Sequence, residues 1–301
     1  MEKVKFYYRE QECSDVFNRL GKVFNANTPE NHPVIFNARE HYMAAMSILA
    51  ASARMYSNMR IYAFQLMSNH LHLVVSGDYL YIKEFFAYFK LRLEKYFDGK
   101  VDLSAFNLKL FSVETLSYFR NAIVYVNRNG FVVNDDVTPF SYPWGTSQYF
   151  FQPVAVRYAR ACGKSMTVAW WRRLMHTRDV DSYRNMKLVD GYVSPLEFCD
   201  VKAAESVFRD ARQYFYLISR KVEAYSEVAR TLGESIFYSD NDLYLSAKKV
   251  AMEQFGSNDI ATLPASQKID LAKHLHFNYN AGEKQLQRLL KIDSEILKAI
   301  L

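Results

Sequence analysis

Met67-Ser68-Asn69-His70-Leu71-His72-Leu73-Val74-Val75 is the stretch on which the fold turns. Aliphatic residues at 71, 73 and 75 alternate with histidines at 70 and 72, and residues two apart on a strand point the same way. Leu71, Leu73 and Val75 are therefore expected to face a core, with His70 and His72 projecting together from the other side. Just before it, Arg60–Leu66 is a second run of β-branched, aromatic and aliphatic residues, so Met67-Ser68-Asn69 is expected to bend the chain between two strands. Gly77-Asp78 ends the second one.

Working outward, residues 38–56 carry Tyr42, Met46, Leu49 and Ala50 at helical steps, and Val34-Ile35-Phe36 after Pro33 is expected to be a short strand in front of that helix. Residues 81–97 place Ile82, Phe86, Phe89 and Leu93 on one helical stripe, with Lys83 and Lys90 on another face and Gly99 as a stop. A further helix is expected over 113–129, with Ser112 as N-cap, Glu114 in the first turn and Gly130 just past its end. Strand, helix, strand, strand, helix, helix predicts an α+β fold, a ferredoxin-like antiparallel sheet with helices on one face. Residues 134–163 are rich in turn formers. A first domain is accordingly expected over 1–150 and an all-helical region over 151–301, with helices over 201–226, 242–254, 266–277, 283–291 and 293–301.

The composition sets the bounds. With 301 residues, 50% of them hydrophobic and 16% aromatic, the chain can bury a sizeable core, which excludes the disordered and low-complexity classes. Thirty-eight Lys and Arg against 32 Asp and Glu leave +6, a balance that favours a polyanionic partner. Cys13, Cys162 and Cys199 are odd in number and far apart, which rules out a disulfide framework and a cysteine-rich metal site. The N-terminus has no apolar signal core, and the longest apolar stretch, 43–53, contains two serines and runs into Arg54. A soluble cytoplasmic protein with no membrane partner is expected.

Two imidazoles on one strand face can share a divalent cation. The same spacing also fits plain polar residues on the outer side of a half-buried strand. Tyr125 and Asn129, four apart, fall on one helical face. Leu116, Phe119, Ile123 and Val126 would dock that helix on the sheet, while Tyr118, Ala122, Tyr125 and Asn129 line the adjoining face and look across at the histidines. A half-buried tyrosine with a solvent-facing asparagine would give the same pattern.

His70-Leu71-His72 resembles the His-hydrophobic-His (HUH) motif of single-tyrosine transposases, and residues 64–75 resemble the strand signature of their REP-associated branch. Tyr125-Val126-Asn127-Arg128-Asn129-Gly130 is similar to that branch's nucleophile helix, and Tyr142-Pro143-Trp144-Gly145-Thr146 to the block that follows it. The resemblance covers about residues 30–150. It implies that His70, His72 and Asn129 bind Mg²⁺ or Mn²⁺ and that Tyr125 is the nucleophile. It further implies cleavage of single-stranded DNA near a hairpin through a 5′-phosphotyrosine, with release of a 3′-hydroxyl. The pattern departs from the family at Ser68 and Gly130, where proline is usual, and the family's N-terminal strand motif is not recognisable before Pro33. The basic segment expected between the two helices is reduced to residues 103–111. These departures bear on hairpin recognition more than on cleavage.

Lys83, Lys90, Arg128, Arg172 and Arg173 are candidate contacts to a DNA backbone. Trp170-Trp171-Arg172-Arg173 also fits a solvated helix face with tryptophan packed beneath. Residues 265–301 have the spacing of a helix-turn-helix unit, or of a three-helix packing module without DNA contact. His274-Leu275-His276 is expected to lie on a helix, where residues two apart point about 200° from one another, so that pair is excluded as a chelate. Gly163-Lys164-Ser165 is excluded as a phosphate loop because Tyr158 occupies the required first glycine position. Two other functions remain open: a domesticated, non-catalytic DNA-binding or regulatory protein on the same fold, and a helical protein-interaction module. Monomer and homodimer are equally compatible with the sequence.

Overall fold

The computed structural model describes residues 2–132, 140–220, 240–279 and 281–300. After helix α1 (Glu2–Asn18), the first strand is β1 (Val23–Asn27), not the expected 34–36 segment. All five β1 residues are buried, so its two asparagines disguised a strand enclosed on both faces. Ile35 and Phe36 are buried within a loop, and their backbone N–H groups both donate to Ser68 O at 2.8 Å. Three apolar residues after a proline were too short a run to tell strand from loop.

Then follow α2 (Arg39–Met55), β2 (Arg60–Leu66), β3 (Leu71–Ser76), α3 (Tyr79–Phe97), β4 (Lys109–Val113) and α4 (Leu116–Val132). Asp78 caps α3 by accepting from the N–H groups of Leu80 and Tyr81. Ser112, expected as a helix cap, lies in β4, because β1 needs that segment as its outer partner. Thr115 takes over the capping, its Oγ1 accepting from Tyr118 N at 3.1 Å, and Gly130 falls inside α4 rather than after it.

The sheet is antiparallel throughout, in the order β2-β3-β1-β4. Its register aligns Gln65, His72, Asn27 and Lys109 side by side across all four strands. Paired residues share a face, so these four project to one side. That side meets α4, where the Tyr62 ring lies 5.4 Å from Phe119 and the His72 ring 5.8 Å from Tyr125. Phe24, in register with Val75 on the opposite face, packs on Tyr79 of α3, which in turn packs on α2. Helices therefore cover both faces of the sheet, not one. Alternation in β3 could not show this, since Leu71–Ser76 is buried on both sides.

The chain continues with α5 (Pro153–Ala161), α6 (Val168–Met175), a hairpin of β5 (Leu188–Val189) and β6 (Tyr192–Val193), then α7 (Val201–Ser206) and α8 (Ala211–Arg220). The hairpin corrects the expectation of an all-helical region from 151 onward. The helix expected over 201–226 is two helices, broken at 207–210, and its part beyond 220 lies outside the described residues. Described residues up to 131 and from 140 to 220 form one compact unit, and those from 240 onward belong to a second. Residues 151–220 thus fold with the sheet. Asp200 N donates to Ile61 O at 2.8 Å, and Tyr192 OH donates to Pro143 O at 3.0 Å. The second unit contains α9 (Asp240–Phe255), α10 (Ala265–Tyr279), α11 (Glu283–Leu290) and α12 (Ser294–Ile300) around Leu243, Leu271, Leu275, Leu286 and Leu297. No helix among the described residues is long and apolar enough to cross a membrane.

The Tyr142-to-Thr146 block extends the β2 edge. Leu66 N donates to Trp144 O at 2.8 Å, Thr146 N to Phe64 O at 3.1 Å, and Tyr142 OH to Leu66 O at 2.8 Å. A Cβ on Gly145 would lie 2.7 Å from Phe64 O and 2.9 Å from Gln65 Oε1, so only glycine lets the two backbones approach this closely. Gly145→Ala is expected to cost about 1–3 kcal/mol. Thermal unfolding should show a midpoint lower by several degrees, and an unchanged midpoint would contradict the packing described.

Candidate active site

Each of the four residues singled out for chemistry arrives on an element whose local physics is plain. His72 is the second residue of β3, an inner strand of the sheet, and His70 lies just before that strand, at the end of a tight turn closed by Met67 N donating to His70 O at 2.8 Å. The turn keeps the two rings on one side, 4.7 Å apart and nearly perpendicular. Tyr125 and Asn129 come from consecutive turns of α4. The Tyr125 ring stands edge-on to His72, and Asn129 Nδ2 lies 2.8 Å from His72 Nε2. The structure brings together the four residues named from the sequence.

They are more enclosed than an open sheet would leave them. His70 is 9% exposed, Tyr125 7% and His72 1%. Helix α4 is buried nearly all round from Phe119 to Arg128, because Arg120 on its far side donates to Val207 O at 2.6 Å and forms a paired contact with Glu10. Burial pushes the His72 imidazole down to about 3, so the ring is neutral near pH 7 and carries a lone pair.

Among the described residues, no three His, Cys, Asp or Glu side chains gather as a metal site. The set here is two imidazoles and a carboxamide. Its chemistry fits a borderline divalent cation better than a hard one, since imidazole suits Mn²⁺ more than Mg²⁺. The amide's orientation follows from hydrogen-bond assignment. Turned over, Asn129 would set Oδ1 beside His72 Nε2, two lone-pair donors 2.8 Å apart. Adjacent ligands on an octahedral ion with bonds of about 2.1 Å are about 3.0 Å apart, so the spacing fits. Asn25, on the same face two residues before Asn27, is fully buried with neither amide atom hydrogen-bonded among the described residues. The space between sheet and α4 is thus polar beyond what its own hydrogen bonds account for.

Sequence reasoning missed the parts that hold these residues. Asn127, between the tyrosine and the asparagine, is fully buried; Thr146 Oγ1 donates to its Oδ1 at 2.9 Å, and its Nδ2 donates to Tyr214 OH at 3.1 Å. Thr146 Oγ1 also accepts from Phe64 N at 3.1 Å, so one threonine ties α4 to the edge of β2. Gln65 and Asn27, flanking His72 in register, were missed as well. The period-two asparagines of β1 were the available signal for Asn27.

The expected DNA contacts are scattered. Lys83 donates to Leu108 O, and Lys90 donates to Ser104 O and Asn107 Oδ1, so both amines brace the loop before β4. Arg128 is buried at 6% exposure, inside the unit rather than on its surface. Arg172 and Arg173 are exposed on α6 above the buried Trp171, and Arg173 lines a cleft of about 670 Å³ with Trp170, Lys95 and Tyr96. In α10, His274 faces Gln254 and His276 faces Ala281 O, the divergence expected of a helical pair. Gly163 follows helix α5, not a strand.

No family model, curated protein or solved structure matches the chain.

Because the unfolded-state imidazole protonates first, near its ordinary 6.5, the stability that neutral His72 contributes is present above pH 6.5 and lost as pH falls towards 3. In metal-free protein, urea unfolding should lose up to about 1.4 kcal/mol per pH unit in that window relative to His72→Gln. Parallel pH profiles for the two proteins would contradict the neutral, buried ring.

Proposed function

We propose that the first unit is a metal-dependent, single-tyrosine DNA strand transferase of the REP-associated type. The observation that carries the proposal is the meeting of Tyr125 and Asn129 with His72 and His70 in one largely buried cluster. The strand order β2-β3-β1-β4, with helix crossovers on either side of a hairpin, is the order a βαββαβ ferredoxin-like sheet would have and supports the same reading.

His70, His72 and Asn129 would hold Mn²⁺ or Mg²⁺, which when bound would polarise a phosphodiester and offset its negative charge. The chain's own residues would do the rest. Tyr125 Oη attacks phosphorus as its proton leaves to solvent, the bond from phosphorus to the 3′-oxygen breaks, and that oxygen takes up a proton. The 5′-phosphotyrosine conserves the bond energy, so attack by a 3′-hydroxyl re-joins strands without an external energy source. Asn127 holds α4 in register so that the phenol stays beside His72. Single-stranded DNA is the fitting substrate because a flexible strand can thread a phosphate into a narrow site. The +6 charge favours such a partner.

A second reading, a DNA-binding or regulatory protein that no longer cleaves, is favoured by two observations: Tyr125 is only 7% exposed, and the nearby amide already faces His72.

Purified protein with Mn²⁺ and labelled single-stranded hairpin oligonucleotides separates the two. Wild type should give a covalent adduct that vanishes in Tyr125→Phe. His70→Ala should weaken Mn²⁺ binding at least tenfold and abolish the adduct, while His274→Ala should change neither. Binding of hairpin DNA without any adduct would support the non-cleaving protein.

A further inference from the structure

We infer that Asn69 is a positioning residue that fixes which nitrogen of His70 carries its hydrogen, and so presents Nε2 as the metal-binding atom. The inference rests on the metal-site reading above, but its first test does not require a metal.

A carboxamide has one end that donates and one that accepts, and which is which must be settled by its neighbours. Around Asn69 they settle it twice. One end lies 2.5 Å from Glu30 O and 2.8 Å from His32 O, and two carbonyl oxygens can only accept. That end is therefore the NH₂, and the oxygen is the end facing His70, with Oδ1 2.7 Å from Nδ1. An amide oxygen cannot donate, so the hydrogen between them belongs to Nδ1. The neutral ring is then the Nδ1–H tautomer, with its lone pair on Nε2.

The carbonyls that orient Asn69 are themselves fixed. They belong to the loop between β1 and α2, which is bound to the strand turn at several points. Thr28 N donates to Leu71 O at 3.0 Å, Leu71 N donates to Thr28 Oγ1 at 2.9 Å, and the N–H groups of Ile35 and Phe36 donate to Ser68 O. His32 is buried at 6% exposure with its ring against Phe106. Asn69 thus joins a rigid loop to the imidazole, as an outer group behind a metal ligand does when it sets ring orientation and tautomer. Ser68, standing where the resembled family has proline, helps keep the turn in place through its carbonyl.

The test is ¹⁵N NMR of the histidine rings in metal-free protein at mildly alkaline pH. In wild type, His70 should show Nδ1 protonated and Nε2 unprotonated. Asn69→Ala should give a mixture of tautomers and bind Mn²⁺ roughly 10- to 100-fold more weakly. Asn69→Asp keeps the acceptor but loses both donors to the loop, so it should retain the Nδ1–H tautomer even if its unfolding midpoint falls, which separates positioning from loop stability. An Nε2–H tautomer in wild type would overturn the inference, as would Asn69→Ala that binds Mn²⁺ as tightly as wild type. If wild type shows the Nδ1–H tautomer yet binds no Mn²⁺, the metal-site reading fails while the placement of the hydrogen by Asn69 stands.

Discussion

The contact between Asn129 on α4 and His72 on the inner strand β3 is the constraint on which the rest of the structure depends. A polar row crosses the sheet at that level, Gln65, His72 and Asn27, and α4 lies over it. Burying such groups is costly unless each finds a partner, so the helix above them must present polar side chains in register. Much of the surrounding architecture keeps that register. Asn127 is held from the β2 edge by Thr146 and from α8 by Tyr214, and Arg120 is held by Glu10 and Val207 O. A one-residue slip of α4 would break these bonds together, which makes the placement of Tyr125 a consequence of packing rather than of local sequence.

The same arrangement explains why stability and chemistry are hard to separate here. A neutral imidazole, an amide and a phenol in an enclosed site serve as a packed core, and on the proposed function the same groups would form a ligand set once one carboxamide turned over. Such a site is strongly preorganised, since sheet and helix fix its members and Asn69 fixes the His70 ring.

Wherever one residue pattern served one structural purpose, the sequence was legible. Alternation in 70–75 revealed β3 and the shared face of the two histidines, and the four-residue step from Tyr125 to Asn129 revealed the face of α4. Failures came where a segment served two purposes. In β1, Asn25 and Asn27 are polar because they face the site, and this hid a strand buried on both sides. Ser112 has the chemistry of a helix cap but was needed in β4, and Gly130 has the chemistry of a helix stop but lies within α4. The short hairpin Leu188–Val189 and Tyr192–Val193 is held by tertiary contacts with α2, for which two-residue strands give no periodic signal. Lys83 and Lys90 were read as contacts to a DNA backbone, yet both amines donate to the loop carbonyls beside them. The bonds that anchor Asn69 and Asn127 reach partners between 19 and 87 positions away, beyond any local pattern.

The most direct measurement is the anomalous diffraction of a crystal soaked in Mn²⁺, with data collected at a wavelength where manganese scatters strongly. The account predicts a single strong peak bounded by His70 Nε2, His72 Nε2 and a reversed Asn129 carboxamide, with the Tyr125 ring alongside. A map in which manganese binds elsewhere, or nowhere, while the Asn129 amide nitrogen still faces His72, would contradict it.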